Sequence, residues 1–356
     1  MPNATLTAAI DALAARRDLS ADEAAGVLAE IMHGEVSETQ IAGFLVALRT
    51  KGETVEELAG LARTMRALAA PVHSRRHDLL DTSGTGGGAS TFNVSTTAAL
   101  IAAGAGCAVA KHGNRSATSR SGSADVLEAL GARIDLGPEA VGACIDEAGF
   151  GFMFAPAHHK ATRYVVPVRR ELAVRTIFNL LGPLTNPAGA RRQLIGVSDP
   201  QFVERIARAL AILGVDRALV VSSEDGLDEI SSRAPTLVVE VNGEDVSQYT
   251  LDPSDLGVEP ASHADAPGGW GGGSPHENAL ITRSILERDS AHAGARAGEG
   301  LALVNAGAAI YAAGAADSIA DGVQAAREAL ADGRASAALE RYVQSTLRHA
   351  PVEALG

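Results

Sequence analysis

A run of 43 consecutive residues, 82–124, carries no aspartate or glutamate. At the chain's average acid content such a window should hold about five, so negative charge has been kept out of it. The same window holds Lys111, His112, Arg115 and Arg120 among many serines and threonines. Cations and hydroxyl donors without competing acids suit an anionic ligand. Phosphate is favoured where backbone N–H groups converge at a glycine-rich turn or a helix start. Gly84, Gly86, Gly87 and Gly88 make such a turn, between a short apolar run and a helix-like segment, and without Cβ atoms they let amides approach an oxyanion closely. Residues 84–89 also match the dinucleotide pattern G-x-G-x-x-A. That site needs an acid about 20 residues further on, and none occurs before Asp125, which argues against NAD. An unliganded glycine turn is the common alternative for an isolated motif; the acid-free surroundings make it the minority reading here.

Three more segments carry chemistry, each just past a predicted strand. Lys111-His112-Gly113-Asn114-Arg115 gathers cations and an amide that could clamp phosphate or carboxylate. Asp225-Gly226-Leu227-Asp228-Glu229 reads either as an exposed turn or as the paired carboxylates that Mg²⁺ takes together with phosphate oxygens and waters. Residues 154–187 contain Lys160, Arg163, Arg169, Arg170 and Arg175, where a bidentate arginine could hold a second small anion such as a carboxylate. Most of these arginines should be solvated or paired with Glu171, but not all of them.

The elements that must position these loops follow from periodicity. Residues 1–70 read as four helices, the first near 6–16. Three capping boxes, Ser20 with Glu23, Ser37 with Gln40 and Thr54 with Glu57, open the others. Ile41, Phe44, Leu45 and Leu48 form one apolar face, and Val55, Leu58, Leu61, Met65 and Leu68 form another. Core packing explains most of these stripes, and a helix-mediated homodimer is a second use for the remainder. After Pro71, strands near 79–81, 107–110, 151–154, 193–197, 217–222 and 236–241 alternate with helical stretches, the last strand closed by a turn at Asn242-Gly243. This alternation predicts an α/β domain with a central, mainly parallel sheet, which binds ligands outside the carboxyl ends of its strands. The glycine stretch 268–273 reads as a loop and is followed by alanine-rich helices.

The 356 residues suggest two domains, and the net charge of −13 argues against a nucleic-acid binder. Two cysteines make no disulfide framework, and no zinc signature occurs. The N-terminal residues do not read as a signal peptide, and no apolar run is long enough to span a membrane. A cytoplasmic protein is expected.

The four segments together closely resemble the anthranilate phosphoribosyltransferase family of tryptophan biosynthesis. The resemblance rests on Gly84-Thr85-Gly86-Gly87, Asn93-Val94-Ser95-Thr96, Lys111 to Arg115, Ser121 to Gly131, Arg175 to Pro187, and Gly226 to Ser231, and extends to Asn305-Ala306-Gly307-Ala308. It implies a small helical domain, residues 1–70, joined by a returning segment 166–181. The α/β domain that binds the phosphoribosyl donor would then be 71–165 plus 182–356, with a homodimer formed through the small domain. It also implies transfer of 5-phosphoribose from phosphoribosyl pyrophosphate (PRPP) to the amine of anthranilate, with Mg²⁺. By the same resemblance Gly84, Gly86, Gly87, Thr91, Asn93, Ser95, Thr96, Lys111 and Ser123 would bind the donor. Gly84, His112, Asn114, His159, Arg169 and Pro183 would surround anthranilate, and Ser95, Asp228 and Glu229 would hold the metal. No residue is assigned as an obligatory acid or base. One departure stands out: the family usually has Asp directly after G-T-G-G, whereas this chain has Gly88 and is one residue shorter before Asn93. Contacts of that Asp cannot be carried over, which leaves more of the metal work to Asp228 and Glu229. The competing readings are a nucleoside phosphorylase sharing the fold and a non-catalytic nucleic-acid-binding relative. The first lacks its usual K-x-S-T-G-G loop here, and the second is opposed by the negative charge.

Overall fold

The computed structural model describes residues 2–116, 119–258 and 272–350. Four helices open the chain: α1 (Ala4–Ala14), α2 (Ala21–His33), α3 (Glu38–Lys51) and α4 (Val55–Leu68). Ser20 with Glu23 and Thr54 with Glu57 form reciprocal capping boxes on α2 and α4. The third box forms only by half. Ser37 caps the Gln40 N–H, but the Gln40 amide turns to α1, where Oε1 accepts the Asn3 N–H and Nε2 donates to the Asn3 carbonyl, both at 3.0 Å. A staple between helices has taken the place of a local cap. Ile41, Phe44, Leu45 and Leu48 are buried, as are Leu58, Leu61 and Met65, while Leu68 stays 37% exposed.

Glu57 is the polar centre of this unit. It is fully buried, accepts the Leu19 and Thr54 N–H groups at 2.9 and 2.8 Å, and pairs with Lys51 at 3.0 Å. Glu57→Ala removes the acceptor for two backbone donors and half of a buried ion pair. The loss should be about 3–5 kcal/mol, read as a fall in the denaturant midpoint. A loss below about 1 kcal/mol would mean that water replaces the carboxylate without strain.

The remainder is a seven-stranded sheet with helices on both faces. In chain order the elements are β1 (Leu79–Gly84), α5 (Val94–Gly104), β2 (Ala108–Gly113), α6 (Ser123–Ala129), α7 (Pro138–Ala148), β3 (Phe150–Phe154), α8 (Ala155–His158), α9 (Val166–Leu172) and α10 (Phe178–Leu181). Then come β4 (Arg192–Gly196), α11 (Val203–Ile212), β5 (Arg217–Ser223), β6 (Thr236–Asn242), β7 (Asp245–Leu251), α12 (Pro275–Leu286), α13 (Ala293–Ala312), α14 (Ile319–Ala331) and α15 (Arg334–His349). The strand order is β3-β2-β1-β4-β5-β6-β7, parallel from β3 to β5 and antiparallel beyond. The chain leaves β1 toward β2 on one side and later returns as β4 on the other, so the β1/β4 boundary is the topological switch point where such sheets open a ligand crevice.

Alternation along β5 divides the core. Leu219 and Val221 face a cluster with α5, α7 and α13–α15, whereas Ala218 and Val220 face a second cluster. That second cluster runs through α11 into α2–α4 and takes in Val168, Ile177, Leu181 and Leu184. The 166–181 segment therefore shares its apolar core with the N-terminal helices. β7 is a difference from the sequence pattern. Its solvent-facing, polar residues hide the strand, and the hairpin loop is Gly243-Glu244, with Asn242 paired to Asp245 and a φ of +61° at Gly243. Residues 268–271 of the glycine stretch lie outside the described residues, and Gly272 and Gly273 lead irregularly into α12.

Candidate active site

A cavity of about 440 Å³ opens at the switch point. Its wall comprises the loop after β1, the start of α5, the end of β2 with the loop after it, the start of α6, the acidic loop after β5, and the segment 169–183. Gly84, Gly86, Gly87, Asn93, Ser95, Lys111, His112, Asn114, Ser123, Arg169, Pro183, Asp228 and Glu229 all line it. Thr91, Thr96 and His159 do not. Thr91 bonds to Glu229, the Thr96 hydroxyl is buried without a partner, and His159 stands behind His112 with Nε2 3.1 Å from the Thr185 carbonyl oxygen.

The glycine loop is folded onto the acidic loop. Gly86 N–H donates to Asp228 Oδ2 at 3.1 Å, and Ala89 N–H donates to the Gly226 carbonyl at 2.9 Å. A Cβ at Gly88 would lie 2.5 Å from Asp228 Oδ1 and 2.8 Å from Asp228 N. The shortened loop has thus closed into the space that a side chain at position 88 would require. Gly196, at the end of β4, lets the Asp228 carbonyl seat directly against the strand.

Burial raises the pKa of Asp228 and lifts that of Glu229 well above the usual carboxylate range, with Asp228 itself adding to the Glu229 shift. Glu229 Oε2 is buried without a partner. Two adjacent carboxylates short of positive charge, both on residues that line the cavity and one with an unpartnered oxygen, fit a divalent cation that takes its other ligands from phosphate and water. Ser95 Oγ lies nearby, 3.2 Å from Lys111 Nζ. Among the described residues no group of three or more His, Cys, Asp or Glu forms a self-sufficient metal cluster.

Three side chains singled out in the sequence are engaged within the protein. Lys111 is buried and spends its donors on the Thr82 carbonyl, Thr82 Oγ1 and Ser95 Oγ, so it underlies the cavity floor as a buried charge. Arg115 is no anion clamp, because it pairs with Asp125 at 2.8 Å and Glu128 at 2.5 Å on α6. The Asn93 amide binds Ser121 and Asn278 and caps nothing on α5. Arg169 is the half-buried cation of the segment. Its Nη2 reaches Asn179 Oδ1 at 3.4 Å, its Nε has no partner, and it lies over the Phe178 ring.

Supporting residues that sequence reasoning missed include Asp81, buried at the base of the cleft. It accepts the His112 N–H at 3.0 Å and the Asn186 amide at 2.8 Å, and burial pushes its pKa up to about 6. An acid inside an apolar strand run was the available signal.

His112 and His159 face each other with centroids 5.0 Å apart. Burial, reinforced by the neighbouring imidazole, lowers His112 to about 3, and burial lowers His159 to about 4. Both are neutral at physiological pH. Because unfolding lets them protonate, their contribution to stability is complete above about 6.5 and is lost as pH falls toward 3–4. His112→Asn should therefore flatten the drop in thermal midpoint between about pH 6.5 and 4. An unchanged slope would show that His112 is not held neutral by the fold.

The fold and cleft define a glycosyl transferase of two parts. The helical bundle domain of the glycosyl transferase family matches residues 7–69, and the family's a/b domain matches residues 76–336. An anthranilate phosphoribosyltransferase from Rubrobacter xylanophilus is 52% identical over 344 residues, which is 96% of this chain and 98% of that one. The crystal structure of anthranilate phosphoribosyltransferase from Thermus thermophilus is 46% identical, with a TM-score of 0.87 over 95% of this chain and 99% of that one. The Saccharomyces cerevisiae enzyme, in complex with PRPP and Mg, is 27% identical, with a TM-score of 0.85 over 97% and 99%. The chain belongs to the anthranilate phosphoribosyltransferase family.

Proposed function

We infer that this protein transfers the 5-phosphoribosyl group of PRPP to the amine of anthranilate, releasing pyrophosphate, as a step of tryptophan biosynthesis. The observation that carries the reading is the convergence on one cavity of glycine-loop amides, two cation-starved carboxylates and the half-buried Arg169.

In this reading Asp228 and Glu229, with Ser95 Oγ, hold Mg²⁺, which neutralises the charge that develops on pyrophosphate. The amides of Gly84 and Gly87 and the start of α5 at Asn93 and Ser95 receive the pyrophosphate end, while the Gly86 amide ties the loop to Asp228 and Thr96 supports the helix start from behind the cavity wall. Thr91 orients Glu229, Lys111 supplies positive charge beneath the floor, and Ser123 at the start of α6 faces the sugar phosphate. Arg169 holds the anthranilate carboxylate. Gly84, Asn114, His112 and Pro183 shape the acceptor pocket, and His159 backs His112.

During transfer the bond from the ribose anomeric carbon to pyrophosphate breaks, and the bond to nitrogen forms. The proton lost by the amine passes to solvent. Neutral His112, with Nδ1 engaged at 3.1 Å by the Gly182 carbonyl, acts as a wall and not as a base. Positioning and electrostatics carry the rate.

The same reading makes the protein a cytoplasmic homodimer through the helical unit. Val46 and Leu68 on the N-terminal helices and Val166 and Val174 on the returning segment are large apolar side chains left exposed. No helix among the described residues is long and apolar enough to cross a membrane. Light scattering reads the dimer directly.

The reaction is tested by stoichiometry. One pyrophosphate should appear per anthranilate consumed, and nucleosides with phosphate should release no base. Base release without anthranilate consumption would assign the cleft to phosphorolysis.

A further inference from the structure

We propose that Arg175, acting with Ser198, is a positioning residue that sets the orientation of the donor loop. The proposal rests on the reading above that this loop receives the pyrophosphate end of PRPP. Arg175 Nη2 donates to the Gly86 carbonyl at 2.7 Å and reaches the Thr85 carbonyl at 3.5 Å. Ser198 Oγ donates to the same Gly86 carbonyl at 3.0 Å and itself lies 3.3 Å from both terminal nitrogens of Arg175. Across a trans peptide the carbonyl of one residue and the N–H of the next point in opposite directions. Drawing the carbonyls of Thr85 and Gly86 toward Arg175 therefore turns the N–H groups of Gly86 and Gly87 the other way. The Gly86 N–H does point there, onto Asp228 across the acidic loop. That bond fixes the loop against the acidic loop and sets the Gly87 N–H before any ligand arrives, and such preorganisation raises affinity by removing the ordering cost of binding.

Two further features tie Arg175 to this task. Gly87 has φ +88°, and a Cβ there would occupy the seat of the guanidinium. The Arg175 backbone is fixed from the helical unit, because Arg49 Nη1 at the end of α3 donates to the Arg175 carbonyl at 2.8 Å. Between Arg169 and Arg175 stands Ala173, a left-handed residue with φ +51° that ends α9. One short segment thus presents Arg169 to the cavity and Arg175 to the loop.

The test compares R175A, R175K and S198A with the active wild type. The readouts are the KM for PRPP, the KM for anthranilate, the pyrophosphate Kd in Mg²⁺ by calorimetry, and the thermal midpoint. R175A should raise the PRPP KM and the pyrophosphate Kd about tenfold or more, with the anthranilate KM within about twofold. S198A, which removes a contact to the loop but none to the cavity, should raise the same two quantities about threefold. R175K should recover part of the loss, since an ammonium reaches one carbonyl but cannot fork. Unchanged donor and pyrophosphate affinity in R175A overturns the proposal. So does a neutral S198A beside an impaired R175A, because that pair of results assigns Arg175 a direct ligand contact. Should R175A fail to fold, S198A and R175K decide the matter. A wild type that binds no pyrophosphate overturns the functional reading itself, which is a different failure.

Discussion

Asp228→Asn combined with Glu229→Gln will lower turnover about 10³-fold or more and leave the residual rate insensitive to Mg²⁺. Both changes keep side-chain shape, so the seat of Asp228 against Gly196 and the Gly86 contact at 3.1 Å can persist. Both remove the charge that neutralises a cation. Neutralising two neighbouring carboxylates whose ionisation burial opposes should raise the thermal midpoint in the absence of Mg²⁺. It should also abolish the further rise that Mg²⁺ with pyrophosphate produces in the wild type. A double variant with wild-type Mg²⁺ dependence would remove these residues from the metal site.

Arg169→Ala will raise the anthranilate KM about 10–100-fold while the PRPP KM changes little. Arg169 is half-buried, its Nε has no partner, and its hydrogen bond to Asn179 is long at 3.4 Å. Its hydrogen-bonding capacity is held in reserve in a cavity wall where the cation is partly desolvated, a process that lowers its pKa. A carboxylate would satisfy it, and the Phe178 face beneath supports the guanidinium plane. Arg169→Lys should recover only part of the loss, because an ammonium cannot present a planar fork. Loss of donor affinity alone would contradict the assignment.

The donor side of the cleft was legible in the sequence because its signal is local. A glycine turn, a helix start and an acid-free window are all read along the chain, and the sheet placed them at the carboxyl ends of β1 and β2. The partners of those residues were not legible, because they arrive from elsewhere. Asp125 and Glu128 lie just past the acid-free window and three residues apart on α6, so they fold back together on Arg115. Asn278 comes from 185 residues away to take the Asn93 amide. Gln40 matched a capping box by spacing, but α1 packs close enough to compete for its side chain. Gly88 was visible only as a departure. Its physical meaning, a loop with no room for a side chain over Asp228, requires the tertiary contact.

The transfer itself is read most directly from the fluorescence of anthranilate mixed with the purified protein, PRPP and Mg²⁺, beside a sample without Mg²⁺. Fluorescence should fall progressively only when both PRPP and the metal are present, and Asp228→Asn/Glu229→Gln should suppress the fall. Stable fluorescence in a folded protein that binds PRPP would contradict this function, leaving a phosphate-binding cleft whose acceptor is not anthranilate.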